Sequence, residues 1–225
     1  FDLARGPLLR VEAARVAEGD HLLAVAVHHI AADGWSVGVL VRELAALYAA
    51  ARYGVGPALP PLPVQYADYA AWQRGRMDAP EVAAQLDFWR ERLAGLRPLE
   101  LPADRPRPPA FTFRGRLATE QLPTELLARL RDLAREQGTT LFVVLLAAFK
   151  LLLGWAAGRR DLAVGTPLAG RSRPELESLI GLFVNTVVLR TDLGGDPTFA
   201  ELVGRVRSTA LEAMERPDVP FERLV

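Results

Sequence analysis

His28 and His29 stand side by side in the run VHHIAADG, with Asp33 four residues and Gly34 five residues after the second histidine. A neutral imidazole, with an unperturbed pKa of about 6.5, can take a proton from an attacking amine or hydroxyl near neutral pH. Side chains alternate along a strand, so two adjacent histidines at a strand end face opposite ways and only one can serve a given cleft. After His29 the chain must turn sharply, a task for which Gly34 has no steric penalty, and the spacing can return Asp33 beneath the imidazole. A helix starting near Trp35 would aim its positive dipole end at the same place and favour negative charge developing on a carbonyl oxygen. Such a set would serve acyl transfer. Two other readings compete. The histidines can be hydrogen-bonded strand-end residues with Asp33 as a plain helix cap. A metal on His28, His29 and Asp33 is the third, disfavoured because histidines on opposite faces do not readily share one ion.

The elements that must position these residues follow from apolar spacing. FDLARGPLLRVEAARV and HLLAVAVHHI are apolar and β-branched, and Glu18-Gly19-Asp20 between them reads as the turn of a hairpin. From Trp35 to Arg52, Val37, Leu40, Val41, Leu44, Leu47 and Tyr48 recur at helical spacing, and the pattern stops near Gly54. The histidines thus lie at a strand-to-helix junction. A stiff connection, Gly56 to Pro63, leads to helices expected over about residues 64–76 and 80–96. LPADRPRPP, residues 101–109, holds four prolines, cannot continue a helix, and is the expected division between a first part, 1–100, and a second, 110–225. Beyond it FRGRLATEQL reads as a strand, Thr124 to about Gln137 and Leu141 to Ala157 as helices, DLAVGTPLAG and FVNTVVLRTDL as strands, and Phe199 to Arg216 as a last helix. Strands and helices mixed without strict βαβ alternation indicate the α/β class in its layered α+β form.

Composition removes several classes. Lys and Arg total 27 against 27 Asp and Glu, so no global basic field points to nucleic acid or an anionic membrane. The chain has no cysteine, which excludes disulfides, thiolate metal sites and a cysteine nucleophile; any thioester chemistry must use a thiol from outside. No GxGxxG or Walker loop is present. The apolar run Leu141 to Trp155 is shorter than a membrane span and carries Lys150, so it reads as a core helix. No membrane association and a cytoplasmic location are expected. Phe1 falls inside an apolar stretch that reads as a strand, which places the natural start upstream.

The segment VHHIAADGWS, residues 27–36, resembles the HHxxxDG signature of condensation domains in nonribosomal peptide synthetases. Further matches follow in the order of that family: YADYAAW at 66–72, GTPLAGR at 165–171, IGLFVNTVVLR at 180–190 and PFE at 220–222. The last departs, with Arg216 and Pro217 before Asp218 where the family has His or Asn and then Gln. The resemblance implies two chloramphenicol-acetyltransferase-like lobes in a V, both incomplete here: the later part of the first lobe over 1–100 and the earlier part of the second over 110–225.

The implied reaction joins a donor acyl or peptidyl thioester to the amine of an acceptor amino acid, in the making of secondary metabolites such as peptide antibiotics. Upstream and downstream peptidyl carrier proteins would supply both substrates on phosphopantetheine arms, beside an adenylation domain, with no metal and no cofactor bound directly. By similarity His29 is the tunnel histidine that deprotonates or positions the amine, His28 supports the local fold, and Gly34 lets the backbone approach the reacting groups. Asp33 would be structural, tied to an arginine expected from a motif that precedes residue 1. Trp72, Arg171 and Asn185 are candidate channel-lining or supporting residues; the bland alternatives are helix core, a solvated loop charge and a strand-end group. Ester formation and a non-catalytic module that recruits a partner are the other functions. Modules of that second kind usually carry damaged histidine motifs, and VHHIAADG is intact. These 225 residues alone are expected to be inactive and prone to aggregate through exposed edges.

Overall fold

The computed structural model describes residues 1–56, 59–106, 108, 110–112 and 114–225. Pro57 and Ala58 of the stiff connection, Arg107 and Pro109 of the proline-rich segment, and Phe113 of the FRGRLATEQL stretch lie outside the described residues. The order of elements is strands β1 (Leu9–Ala17) and β2 (Asp20–Val27), helices α1 (Gly34–Tyr53), α2 (Tyr66–Arg76), α3 (Pro80–Leu93), α4 (Thr124–Glu136) and α5 (Leu141–Ala157), strands β3 (Asp161–Leu168) and β4 (Asn185–Asp192), and helix α6 (Phe199–Met214). Single 3-10 turns occur at Pro174–Leu176 and Phe221–Arg223.

β1 and β2 form an antiparallel hairpin, Leu9 opposite Val27 and Arg15 opposite His21, with a register shift between Arg15 and Ala17. The hairpin is shorter than its sequence suggests at its open end. Residues 1–8 are not strand, because the Asp2 carboxylate accepts hydrogen bonds from the amides of Ala4 and Arg5 and winds the chain into a turn. Phe1 is therefore not in a strand. β2 stops at Val27 because the backbone closes a turn immediately after it, with Ala31 N donating to His28 O at 2.9 Å.

β3 and β4 pair in a second two-stranded sheet. Residues 114–122 are not the strand expected there: no ladder partner for them exists among the described residues, and Leu117 is 90% exposed. A strand-like stretch without a neighbouring strand does not make one. The helices match the apolar periodicity to within a few residues. α1 is capped by Asp33, whose side chain accepts from Ser36 N, and ends at Gly54.

Packing groups the chain into two units, 1–83 with 167–185 and 84–166 with 186–225. In the first, Leu176, Leu179 and Phe183 form a buried cluster against Val64, Tyr66 and Tyr69. In the second, α5 packs on α6 and α4 on α5, around Val144, Ala147, Leu162, Leu189, Val203, Val206 and Ala210. No single helix is long and apolar enough to cross a membrane among the described residues.

α5 confirms why its one charge can be tolerated in a core helix. Lys150 is fully buried, and its Nζ donates to Leu189 O at 2.5 Å and to Thr191 Oγ1 at 2.7 Å. Burial pushes the amine down from 10.5 to about 8, with Arg92 adding to the shift and Asp161 opposing it. A neutral amine still has two N–H groups, enough for both bonds. Below pH 8 the amine is protonated in the folded and unfolded chain alike, and the cost of burying the charge is present in full. Between about 8 and 10.5 the folded chain gives up its proton first, so the unfolded state binds more protons and stability rises with pH. Urea melts of the complete domain should show this climb, at most about 3 kcal/mol, and Lys150→Met should remove it.

Candidate functional site

The turn after β2 fixes the two histidines differently. His28 is half-buried; its N–H donates to Leu8 O at 2.9 Å and its ring Nδ1 accepts from Ile30 N at 3.1 Å. The ring of Phe1 meets the His28 ring edge to face at 5.7 Å. His29, one residue on, is exposed. The pair separates, although both histidines lie in the turn after β2 and not in the strand: one ring is engaged by its neighbours and the other is exposed.

Gly34 is the first residue of α1, with backbone outside the left-handed region and no atom within 4 Å of where a Cβ would sit. The sharp turn expected to need that glycine is made earlier, at His28 to Ala31, by ordinary residues. What Gly34 leaves is open space beside the backbone.

The Asp33 carboxylate accepts its hydrogen bonds from groups other than the imidazole. The residue is 4% exposed: Oδ1 accepts from Ser36 N and Ser36 Oγ, both at 2.8 Å, and from Arg171 Nη2 at 3.2 Å, while Oδ2 accepts from Phe183 N at 3.0 Å. Burial pushes this carboxyl up, but the hydrogen bonds from Ser36, Phe183 and Arg171 outweigh it and hold the group below its ordinary value. Asp33 N also donates to Gly181 O at 3.1 Å. The anchor of the histidine turn is thus the 171–183 segment.

Arg171 corrects one expectation: it is no solvated loop charge, since its side chain is 1% exposed, and it brings a cation to Asp33 from within the chain. Its Nη1 donates to the carbonyls of Leu176 and Leu179, and its Nη2 to Asp33 and to Ser36 Oγ at 2.9 Å. Its buried Nε has no hydrogen-bond partner. The guanidinium instead lies 4.0 Å from the ring centroid of Phe183 and 5.8 Å from that of Trp35, where the aromatic faces offer electrostatic compensation. Gly170, at φ +67°, lets the chain deliver this arginine: a Cβ there would meet Phe183 O at 1.9 Å.

The remaining candidates divide. Trp72 is partly exposed on α2, with the guanidinium groups of Arg76 and Arg173 at 4.9 and 5.0 Å from its ring and Tyr69 packed beside it. Asn185 is half-buried at the start of β4.

Ser36, Tyr66, Gly181 and Phe183 belong to the cluster without having been candidates from sequence. A hydroxyl three residues after a capping aspartate was the available signal for the first. Tyr66 donates its hydroxyl to Leu182 O at 2.9 Å, and burial pushes the phenol up, keeping it protonated. Its ring lies over Gly181, where a Cβ would meet a ring carbon at 2.1 Å. Gly181→Ala should accordingly destabilise the complete domain by about 1–3 kcal/mol, measured by urea unfolding, and Tyr66→Phe, which keeps the ring, should not relieve that loss.

A family model described as Condensation domain matches residues 1–225. A linear gramicidin synthase of Brevibacillus parabrevis is 50% identical over 226 residues, covering 100% of this chain and 3% of that protein. The X-domain in its complex with OxyB from teicoplanin biosynthesis superposes with a TM-score of 0.92 at 38% identity, over 100% of this chain and 50% of that one. Holo-AB3403, a four domain nonribosomal peptide synthetase bound to AMP and glycine, gives 0.85 at 26% identity, over 100% of this chain and 17% of that one. The chain thus spans half or less of each of these three proteins, and its mixed strands and helices have the chloramphenicol-acetyltransferase-like fold. It belongs to the condensation-domain family.

Proposed function

We propose that the complete domain forms an amide bond between a donor acyl or peptidyl thioester and the amine of an acceptor amino acid, each carried on the phosphopantetheine arm of a peptidyl carrier protein. The observation that carries this reading is the exposed ring of His29 on a turn anchored by a buried Asp33–Arg171 pair. In this role His29 accepts a proton from the acceptor amine or holds it for attack, while the open space beside Gly34 admits the reacting groups. The amine nitrogen bonds the thioester carbonyl carbon, the carbon–sulfur bond breaks, and the donor pantetheine leaves as the thiol. His28 supports the turn, Arg171 holds Asp33, and Trp72 and Asn185 support or line the substrate path. The lobe division falls at residues 101–109, each lobe being represented in part. The four-domain relative motivates an adjacent adenylation domain as the source of the acceptor.

Recruitment of a partner protein is the second reading, favoured by the likeness to an X-domain solved with OxyB. The intact, exposed histidine weighs against it. Incubating the complete domain with loaded donor and acceptor carriers and weighing the carrier-bound products separates the two: extended product that disappears in His29→Ala supports condensation, and no transfer by the unaltered domain overturns it.

A further inference from the structure

Ser36 is the least accessible polar residue among the described residues of the first unit, and its hydroxyl has more neighbours than it can treat alike. Fully buried, Oγ lies 2.8 Å from Asp33 Oδ1, 2.8 Å from Gly181 O, 2.9 Å from Arg171 Nη2 and 3.0 Å from Gly181 N. A serine hydroxyl has one proton and two lone pairs. Gly181 N–H and the guanidinium can only donate, so they occupy the lone pairs. The proton then has two acceptors to choose from. Gly181 O already receives Asp33 N at 3.1 Å, while Asp33 Oδ1 bears charge, and a charge-assisted bond is the stronger. The proton points at Asp33.

We infer that Ser36 is a positioning residue for the histidine turn, a hub through which the turn's aspartate, Arg171 and the backbone of Gly181 are held in one register. This rests on the proposed condensation reaction and names a residue outside the motif histidines on which it depends. The hydroxyl touches no substrate. Its effect passes through Asp33, four residues after His29 and the point where the turn is tied to Gly181 and Phe183. Without it two buried donors, Gly181 N–H and one guanidinium N–H, lose an acceptor, and the pull on Asp33 becomes one-sided. A displacement of His29 of about 1 Å is enough to cost up to about a hundredfold in rate.

The test uses the complete domain with loaded carriers. Ser36→Ala should lower the single-turnover rate about 10- to 100-fold at temperatures where circular dichroism shows it folded, with donor-carrier affinity unchanged and the His29 ring resonances shifted or broadened in NMR spectra. Ser36→Thr and Ser36→Val have equal bulk and differ by the hydroxyl, so Thr should outpace Val by a similar factor. A folded Ser36→Ala with the unaltered rate and His29 spectrum overturns the inference. If Ser36→Ala does not fold, the Thr and Val pair decides, and equal rates, or equal failure to fold, overturn it. His29→Ala is run alongside: full activity there sinks the condensation reading itself, whereas loss of activity there with an unaffected Ser36→Ala sinks only the role of Ser36.

Discussion

Replacing His29 with alanine in the complete domain is expected to lower the rate of amide formation by about 10²- to 10⁴-fold while leaving fold and carrier binding intact. The asymmetry of the two histidines is the reason. The His28 ring accepts a hydrogen bond from Ile30 N and meets the Phe1 ring, so its removal loosens the turn; the His29 ring is exposed, so its removal costs little stability. Single-turnover transfer between loaded carriers, read by mass spectrometry, gives the rate, and thermal unfolding gives the stability. The two substitutions should separate: His29→Ala loses rate at nearly constant melting temperature, and His28→Ala loses melting temperature with a smaller loss of rate. A His29→Ala domain that transfers as fast as the unaltered one removes the imidazole from the mechanism.

That two adjacent histidines would divide was legible in the sequence, but strand periodicity is not the cause: β2 stops at Val27, and the turn after it separates the rings. Legible too were the helices, whose apolar spacing carries their type whatever they pack against. Strands fared worse. FRGRLATEQL has strand composition, yet a strand exists only where a second one bonds to it, and composition says nothing of the partner. Residues 1–8 failed for a local reason, the side chain of Asp2 competing for the amides that a ladder would need. The Asp33 cluster failed for a long-range one. Arg171, Gly181 and Phe183 lie about 140 to 150 residues from Asp33, and no local pattern marks which arginine answers a buried aspartate. Only the serine three residues after the capping aspartate was within reach of sequence reasoning.

Breaking the Asp33–Arg171 pair should be the most destabilising single change in this region. Arg171→Met keeps the length of the side chain and removes its charge, which strands a buried carboxylate and leaves the carbonyls of Leu176 and Leu179 without their donor. A loss of about 3–5 kcal/mol in urea unfolding of the complete domain is expected. Arg171→Lys should recover little of it, since one ammonium cannot reproduce a planar fork that spans two carbonyls, a carboxylate and a hydroxyl. Acid distinguishes this account from simple loss of packing. In the unaltered domain the folded carboxyl titrates below its ordinary value, so its stabilising effect is present near neutrality and is lost as pH falls through that low value. Without the guanidinium one of the hydrogen bonds that oppose burial is gone, while those from Ser36 and Phe183 remain; the carboxyl rises, and protonation in acid relieves the stranded charge. The deficit of Arg171→Met should therefore be smaller in acid than at neutral pH, and Asp33→Asn placed in the same chain should recover part of the loss at neutral pH. A deficit that does not change with pH, and is untouched by Asp33→Asn, would mean that Arg171 holds this segment through its carbonyl contacts and its place over Phe183 and not through its charge on Asp33.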